Sequence, residues 1–198
     1  MIAVKGDTTV ENNERFAVTL TNAPIAATIT PSTAEGTIIN DDASLSIAAL
    51  AAKKAEGQSG SLALTFTVTR SGDTTVGHSA KFAVTGSGVA PANATDFAGG
   101  ALPSGSVSFA AGETSKTVTV NVAGDTVAEA GEGFTVTLSA PSTGATLGTA
   151  AATGTIVNDD ALLSIAALAA SKTEGIFGST ALTFTVTRSG DTTAGHSA

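Results

Sequence analysis

Residues 41–80 read DDASLSIAALAAKKAEGQSGSLALTFTVTRSGDTTVGHSA, and residues 159–198 read DDALLSIAALAASKTEGIFGSTALTFTVTRSGDTTAGHSA. Only seven of these 40 positions differ, at a constant offset of 118. Within the first copy, Leu62, Leu64, Phe66 and Val68 alternate with Ala63, Thr65, Thr67 and Thr69. A period of two marks a strand with one face in a core and the other in water. The stretch therefore predicts β structure and a tandem repeat together.

The offset holds upstream as well. Gly6-Asp7-Thr8 matches Gly124-Asp125-Thr126, and Glu11, Glu14 and Phe16 match Glu129, Glu132 and Phe134. Asn40-Asp41-Asp42 matches Asn158-Asp159-Asp160. The reading is one complete repeat over 43–160, the back part of another over 1–42, and the front part of a third over 161–198. Met1 aligns with Thr119 in mid-strand, so the chain is expected to be a piece of a longer array.

Composition agrees. Eight Phe are the only aromatics, while Thr, Ser, Val and Gly abound. Seven strands are expected in the full repeat, near 44–52, 62–69, 77–85, 104–110, 117–122, 134–139 and 150–158. Turn signals such as Ser71-Gly72-Asp73 and Ala111-Gly112-Glu113 separate them. The expected fold is all-β: an immunoglobulin-like seven-stranded antiparallel β-sandwich in tandem repeats. The Phe residues, Phe16, Phe66, Phe82, Phe97, Phe109, Phe134 and Phe184, are expected in cores. His78 and His196 are read as ordinary strand residues.

The net charge is −8. That speaks against nucleic acid, whose phosphates need Lys and Arg, and against anionic lipid. With no Cys, disulfides and thiolate metal sites are excluded. No run of 18 apolar residues exists to insert in a membrane. The first residues, Met1-Ile2-Ala3-Val4-Lys5, do not read as an export signal, so any such signal is expected outside this segment. No Ser sits in a G-x-S-x-G context, and no catalysis is expected.

Nine acids lie within 43–160. In an up-and-down sandwich, alternate loops share a pole. The loops after the first, third and fifth strands, with the end of the seventh, carry Glu56, Asp96, Asp125, Glu129, Glu132, Asp159 and Asp160. Asp73 and Glu113 fall at the other pole. Two unit charges 4 Å apart repel by about 1 kcal/mol even in bulk water. A cation resolves this crowding. Ca²⁺ takes six to eight oxygens in flexible geometry, whereas Mg²⁺ demands a tight octahedron. Zinc and copper want His or Cys, and the cluster has neither.

The run Asp125-Thr126-Val127-Ala128-Glu129-Ala130-Gly131-Glu132-Gly133-Phe134-Thr135-Val136-Thr137-Leu138 resembles the signature of the Calx-beta family, E-x-x-E-x-F-x-V-x-L behind an acidic pair. Thr155-Ile156-Val157-Asn158-Asp159-Asp160 resembles its closing T-I-x-D-D-D. Ala55-Glu56-Gly57, Thr95-Asp96-Phe97 and Phe109-Ala110-Ala111-Gly112-Glu113-Thr114 are similar to further elements of bacterial members. The resemblance implies a seven-stranded calcium-binding sandwich, with Glu56, Asp96, Asp125, Glu129, Glu132, Asp159 and Asp160 as ligands. Asp7, Glu11, Glu14, Asp41 and Asp42 would be the ligands of the preceding repeat. Of this set, residues 161–198 keep only Glu174. Gly124 and Asn158 depart from the family pattern, each removing a charge.

Three functions follow as expectations. The first is a calcium-stiffened spacer or adhesion module of an extracellular or cell-surface protein. Its partners would be calcium ions, the neighbouring repeats and cell-surface or matrix ligands. The second is a regulatory calcium sensor of a membrane transporter. The third is a noncatalytic accessory domain of a secreted hydrolase. Near-identical tandem copies favour the first.

Overall fold

The structure, a computed structural model, describes residues 1–193; His196 lies outside them. The chain folds as two small hairpins flanking a central sandwich. The first hairpin pairs β1 (Glu14–Thr19) with β2 (Thr33–Ile38). The sandwich holds β3 (Ala43–Ala51), β4 (Lys53–Ala55), β5 (Ser61–Gly72), β6 (His78–Ser87), β7 (Ser104–Phe109), β8 (Ser115–Ala123), β9 (Glu132–Ser139), β10 (Ala145–Leu147) and β11 (Ala151–Val157). The last hairpin pairs β12 (Ala161–Ala169) with β13 (Thr183–Gly190).

One sheet has the order β10-β3-β5-β8, and the other β4-β11-β9-β6-β7. The alternation read along residues 62–69 is realised. Leu64, Phe66 and Val68 are fully buried and Leu62 packs against their cluster from the margin. Across the core, Phe134 meets Phe66 and Phe97 edge-on, with centroids 5.9 and 5.5 Å apart. That geometry sets a positive ring edge against a negative ring face.

The seven expected passes are present, but the first and last each break in two. Near Ala49 a register shift disturbs the pairing of β3 with β5, and the chain leaves that sheet after Ala51. It re-enters the opposite sheet as β4, running parallel to β11. The last pass does the reverse: β10 runs parallel to β3, and β11 antiparallel to β9. The sandwich is thus antiparallel except where its first and last passes meet. Each broken strand satisfies backbone groups on both sheets and leaves shorter free edges. The crossing also delivers the end of β4 to the end of β11, where Ala55 lies opposite Val157.

The hairpins are open on the face that the sandwich buries. Ile47 is 2% exposed and its counterpart Ile165 is 69% exposed; Phe66 is 0% and Phe184 is 55%. Phe184 is therefore not a core residue here, and Phe16 is only half-buried. Residues 1–42 and 161–193 lack counterparts of 81–118, where most of β6, all of β7 and the start of β8 close the central core.

Candidate metal centre

The crossing of the first pass places Glu56 beside the end of the last. Its backbone N–H donates to the Val157 carbonyl at 3.1 Å. The next N–H, from Gly57, donates to Asp159 Oδ1 at 3.0 Å. Asp96 arrives on a single 3₁₀ turn, Ala94–Asp96, capped by Asn93. Its Oδ2 accepts from the Asn93 N–H at 2.6 Å, a reciprocal capping box. The strand of chain before this turn is stitched to β9: Ala92 N–H donates to Gly133 O and Gly133 N–H to Ala90 O, both at 2.9 Å. Glu132 opens β9 opposite Ile156. Glu129 and Asp125 lie in the preceding loop, where Asp125 Oδ1 accepts from the Val127 N–H at 2.7 Å.

Two clusters result. Glu56, Asp159 and Asp160 bring carboxylate oxygens within 4.8 Å of one another, and Asp96, Glu129 and Glu132 do the same. Asp125 is exposed and stands in neither group, yet its charge acts on both Glu56 and Glu129. The two clusters therefore form one acidic field.

The protonation state reports the strain of that field. Burial, then the charges of Glu129, Asp125, Asp159 and Asp160, push the Glu56 carboxyl up to about 7. Burial, then a hydrogen bond and charge from Asp96, push Glu132 up to about 8. Glu129 is raised in the same direction, by burial first and then by Asp125 and Asp96. Three buried oxygens, Glu56 Oε1, Glu132 Oε2 and Asp160 Oδ2, have no hydrogen-bond partner. A buried polar atom without a partner is costly. Orphaned carboxylate oxygens converging from three loops fit a hard cation with oxygen ligands, which is the chemistry of calcium.

Three residues of the site escape a reading of charges alone. Asn158 is a clamp. Its Oδ1 accepts from the Glu129 N–H at 3.3 Å, and its Nδ2 donates to the Asp160 carbonyl at 3.0 Å. An aspartate could not donate the second bond, so the loss of charge there brings a tie between the loop and the closing acids. Gly124 sits where a Cβ would strike the carbonyls of Glu56 and Gly57. An aspartate at that position would force the loop bearing Glu56 away. Gln58 donates Nε2 to Asp160 Oδ1 at 2.7 Å; its counterpart Ile176 cannot.

The preceding repeat reproduces the scaffold. Asn40 Oδ1 accepts from the Glu11 N–H at 3.2 Å, Asn40 Nδ2 donates to Asp42 O at 2.9 Å, and Asp7 Oδ1 accepts from Thr9 N–H at 2.8 Å. Burial, then Asp41 and Asp7, raise the Asp42 carboxyl. Among the described residues, however, no three of Asp7, Glu11, Glu14, Asp41 and Asp42 bring ligand atoms together as the central acids do. Counterparts of Glu56 and Asp96 are missing from residues 1–42. Glu174, likewise, stands in no such group among the described residues.

Comparison with known proteins places the fold. The apo-form Calx CBD1 domain superposes with a TM-score of 0.50 at 24% identity, covering 60% of this chain and 99% of that one. CBD12 from CALX1.2 matches with a TM-score of 0.50 at 22% identity, over 68% of this chain and 53% of that one. The chain thus spans about half the length of that relative. No curated protein matches the chain. The sequence description of the Calx-beta domain matches residues 1–42 and 47–160. The chain belongs to the Calx-beta domain family.

Proposed function

We propose that the chain is a calcium-binding segment of a tandem array, acting as a stiffened spacer or adhesion element outside the cell or at its surface. The observation that carries this reading is the pair of carboxylate clusters at one pole, with three buried oxygens lacking partners. Glu56, Asp159 and Asp160 would hold one ion, and Asp96, Glu129 and Glu132 a second beside it, with Asp125 adding charge. Calcium bound there would supply positive charge to a field that otherwise raises the Glu56 and Glu132 carboxyls. Extracellular calcium modules work at roughly 10⁻⁴–10⁻³ M, and the charge lost at Gly124 and Asn158 fits that weak range. The near-identity of residues 41–80 and 159–198 supports a reach-extending array over a lone sensor.

An ion that binds only the folded state raises stability by mass action. The test is the melting temperature of the chain in millimolar Ca²⁺, in Mg²⁺ and in chelator. A rise with Ca²⁺ and little with Mg²⁺ is expected. Superimposable curves in Ca²⁺ and chelator would remove the basis of the proposal.

A further inference from the structure

The two junctions between repeats are built from the same contacts, 118 residues apart. Asp42 O accepts from the Asp73 N–H at 2.8 Å, and Asp160 O accepts from the Asp191 N–H at 2.7 Å. Each bond adds a rung to the first hairpin of the following repeat, β3–β5 or β12–β13. The same carbonyls accept from Asn40 and Asn158 of the preceding repeat. The closing aspartate thus belongs to two repeats at once, and no linker separates them.

Beside each bond lies a glycine. Gly72 and Gly190 have φ of +85° and +83°, and a Cβ on either would run into Asp42 O or Asp160 O. It would also meet Val10 Cγ1 at the first junction and Ala128 Cβ at the second. Val10 and Ala128 occupy the same place in the loop that carries the acids, and both are half-buried. The turn that meets them is braced by side-chain hydrogen bonds. Asp73 Oδ1 accepts from Thr75 N–H at 3.0 Å, and Asp191 Oδ1 from Thr193 N–H at 3.0 Å. Buried Arg70 donates to the Thr74, Val76 and Ala110 carbonyls, and Arg188 donates to the Asp191 carbonyl.

We propose that the Ser-Gly-Asp turn at 71–73 and 189–191 is a docking surface whose partner is the acid-bearing loop of the preceding repeat. The turn, and not the cation, sets the angle between repeats. The contact consists of backbone groups, a glycine and a small apolar side chain, so it forms in the absence of any ion. Repulsion among the acids changes how tightly the joint is held, not where it points. A constant contact at a constant offset then gives a directional array with one rotation per repeat. The proposal rests on the reading of the chain as a tandem array, but not on calcium binding.

The chain has no Cys, so spin labels can be placed at R15C and K81C, exposed positions on either side of the first junction. Pulsed dipolar spectroscopy on the full chain should give one narrow distance, with the same mean in Ca²⁺ and in chelator and a narrower width in Ca²⁺. G72V should broaden the distribution at least twofold. V10W should do the same from the partner side, leaving the turn intact and the melting temperature of the central sandwich unchanged. A broad distribution in the parent chain, a mean that moves with Ca²⁺, or an unchanged width in V10W would overturn the proposal. Calcium titration calorimetry on the same samples separates the two readings. Absence of heat would end the calcium reading and leave a narrow distance standing; heat with a broad distance would do the reverse.

Discussion

At the scale of the residue, Glu56 and Glu132 are held up to about 7 and about 8 by burial and by their acidic neighbours. Both are raised above the ordinary 4.5 of a glutamate. The stability they contribute is therefore present in full below about 4.5 and is lost as pH rises through 7 and 8. In chelator the melting temperature should fall from pH 5 to pH 8.5. In millimolar Ca²⁺ that fall should vanish or reverse, because the ionised forms gain a partner. A chelator profile that is flat over this range would contradict the burial of these carboxylates. The double variant E129Q/E132Q should weaken calcium binding by roughly 100-fold, since ligand charge count sets affinity. It removes two charges from one cluster and leaves the hydrophobic core untouched, so circular dichroism should not change. Unaltered calorimetric affinity would place the site elsewhere. The acids of this pole could be picked out in the sequence because strand alternation assigns loops to poles. Asn158 could not, because its value lies in a bond to Glu129 made across 29 residues and not in its own charge.

At the scale of the element, the strands with one wet face were legible, and the breaks were not. The alternation of Leu64, Phe66 and Val68 is a local pattern, and burial follows it. The crossing after Ala51 has no such mark. Ala51-Ala52-Lys53 contains neither Gly nor Pro, and the break is decided by which sheet offers the unpaired edge. The equivalence of repeats also misleads at this scale. Phe66 and Phe184 stand in nearly identical sequence, yet only Phe66 has strands packed over it. F66A should cost about 3–5 kcal/mol through the cavity it leaves, while F184A in the same chain should cost less than about 0.5 kcal/mol, as an exposed site does. Denaturant unfolding of the two variants measures both. Hydrogen exchange should be slow in β3, β5, β8 and β9 and fast in β1–β2 and β12–β13. Equal protection in all of them would mean that the hairpins find cover from another chain through their free edges.

At the scale of the whole molecule, one pole of the sandwich carries both the acids and the joint. Asp159 and Asp160 stand at the end of β11, and β12 begins at Ala161, so nothing flexible separates the carboxylates from the next repeat. Asn158 ties the same segment to the loop of Glu129, and Gly57 and Gln58 tie it to the loop of Glu56. Charge repulsion in this field pushes those loops apart, and the segment that they hold is the only route from one repeat to the next. Neutralising the field therefore draws in three loops and the joint together. A protein of two complete repeats should show this in small-angle X-ray scattering. The distribution of internal distances should narrow in Ca²⁺ relative to chelator about an unchanged mean, because fewer arrangements of the joint are sampled. D159N/D160N should abolish the difference, since it removes the carboxylates that link the field to the joint while keeping Asn158 and the backbone bond to the next turn. If the scattering curves in Ca²⁺ and chelator coincide while calorimetry still reports binding, the ion acts within one repeat only, and the array is rigid or flexible for reasons that lie in the turn.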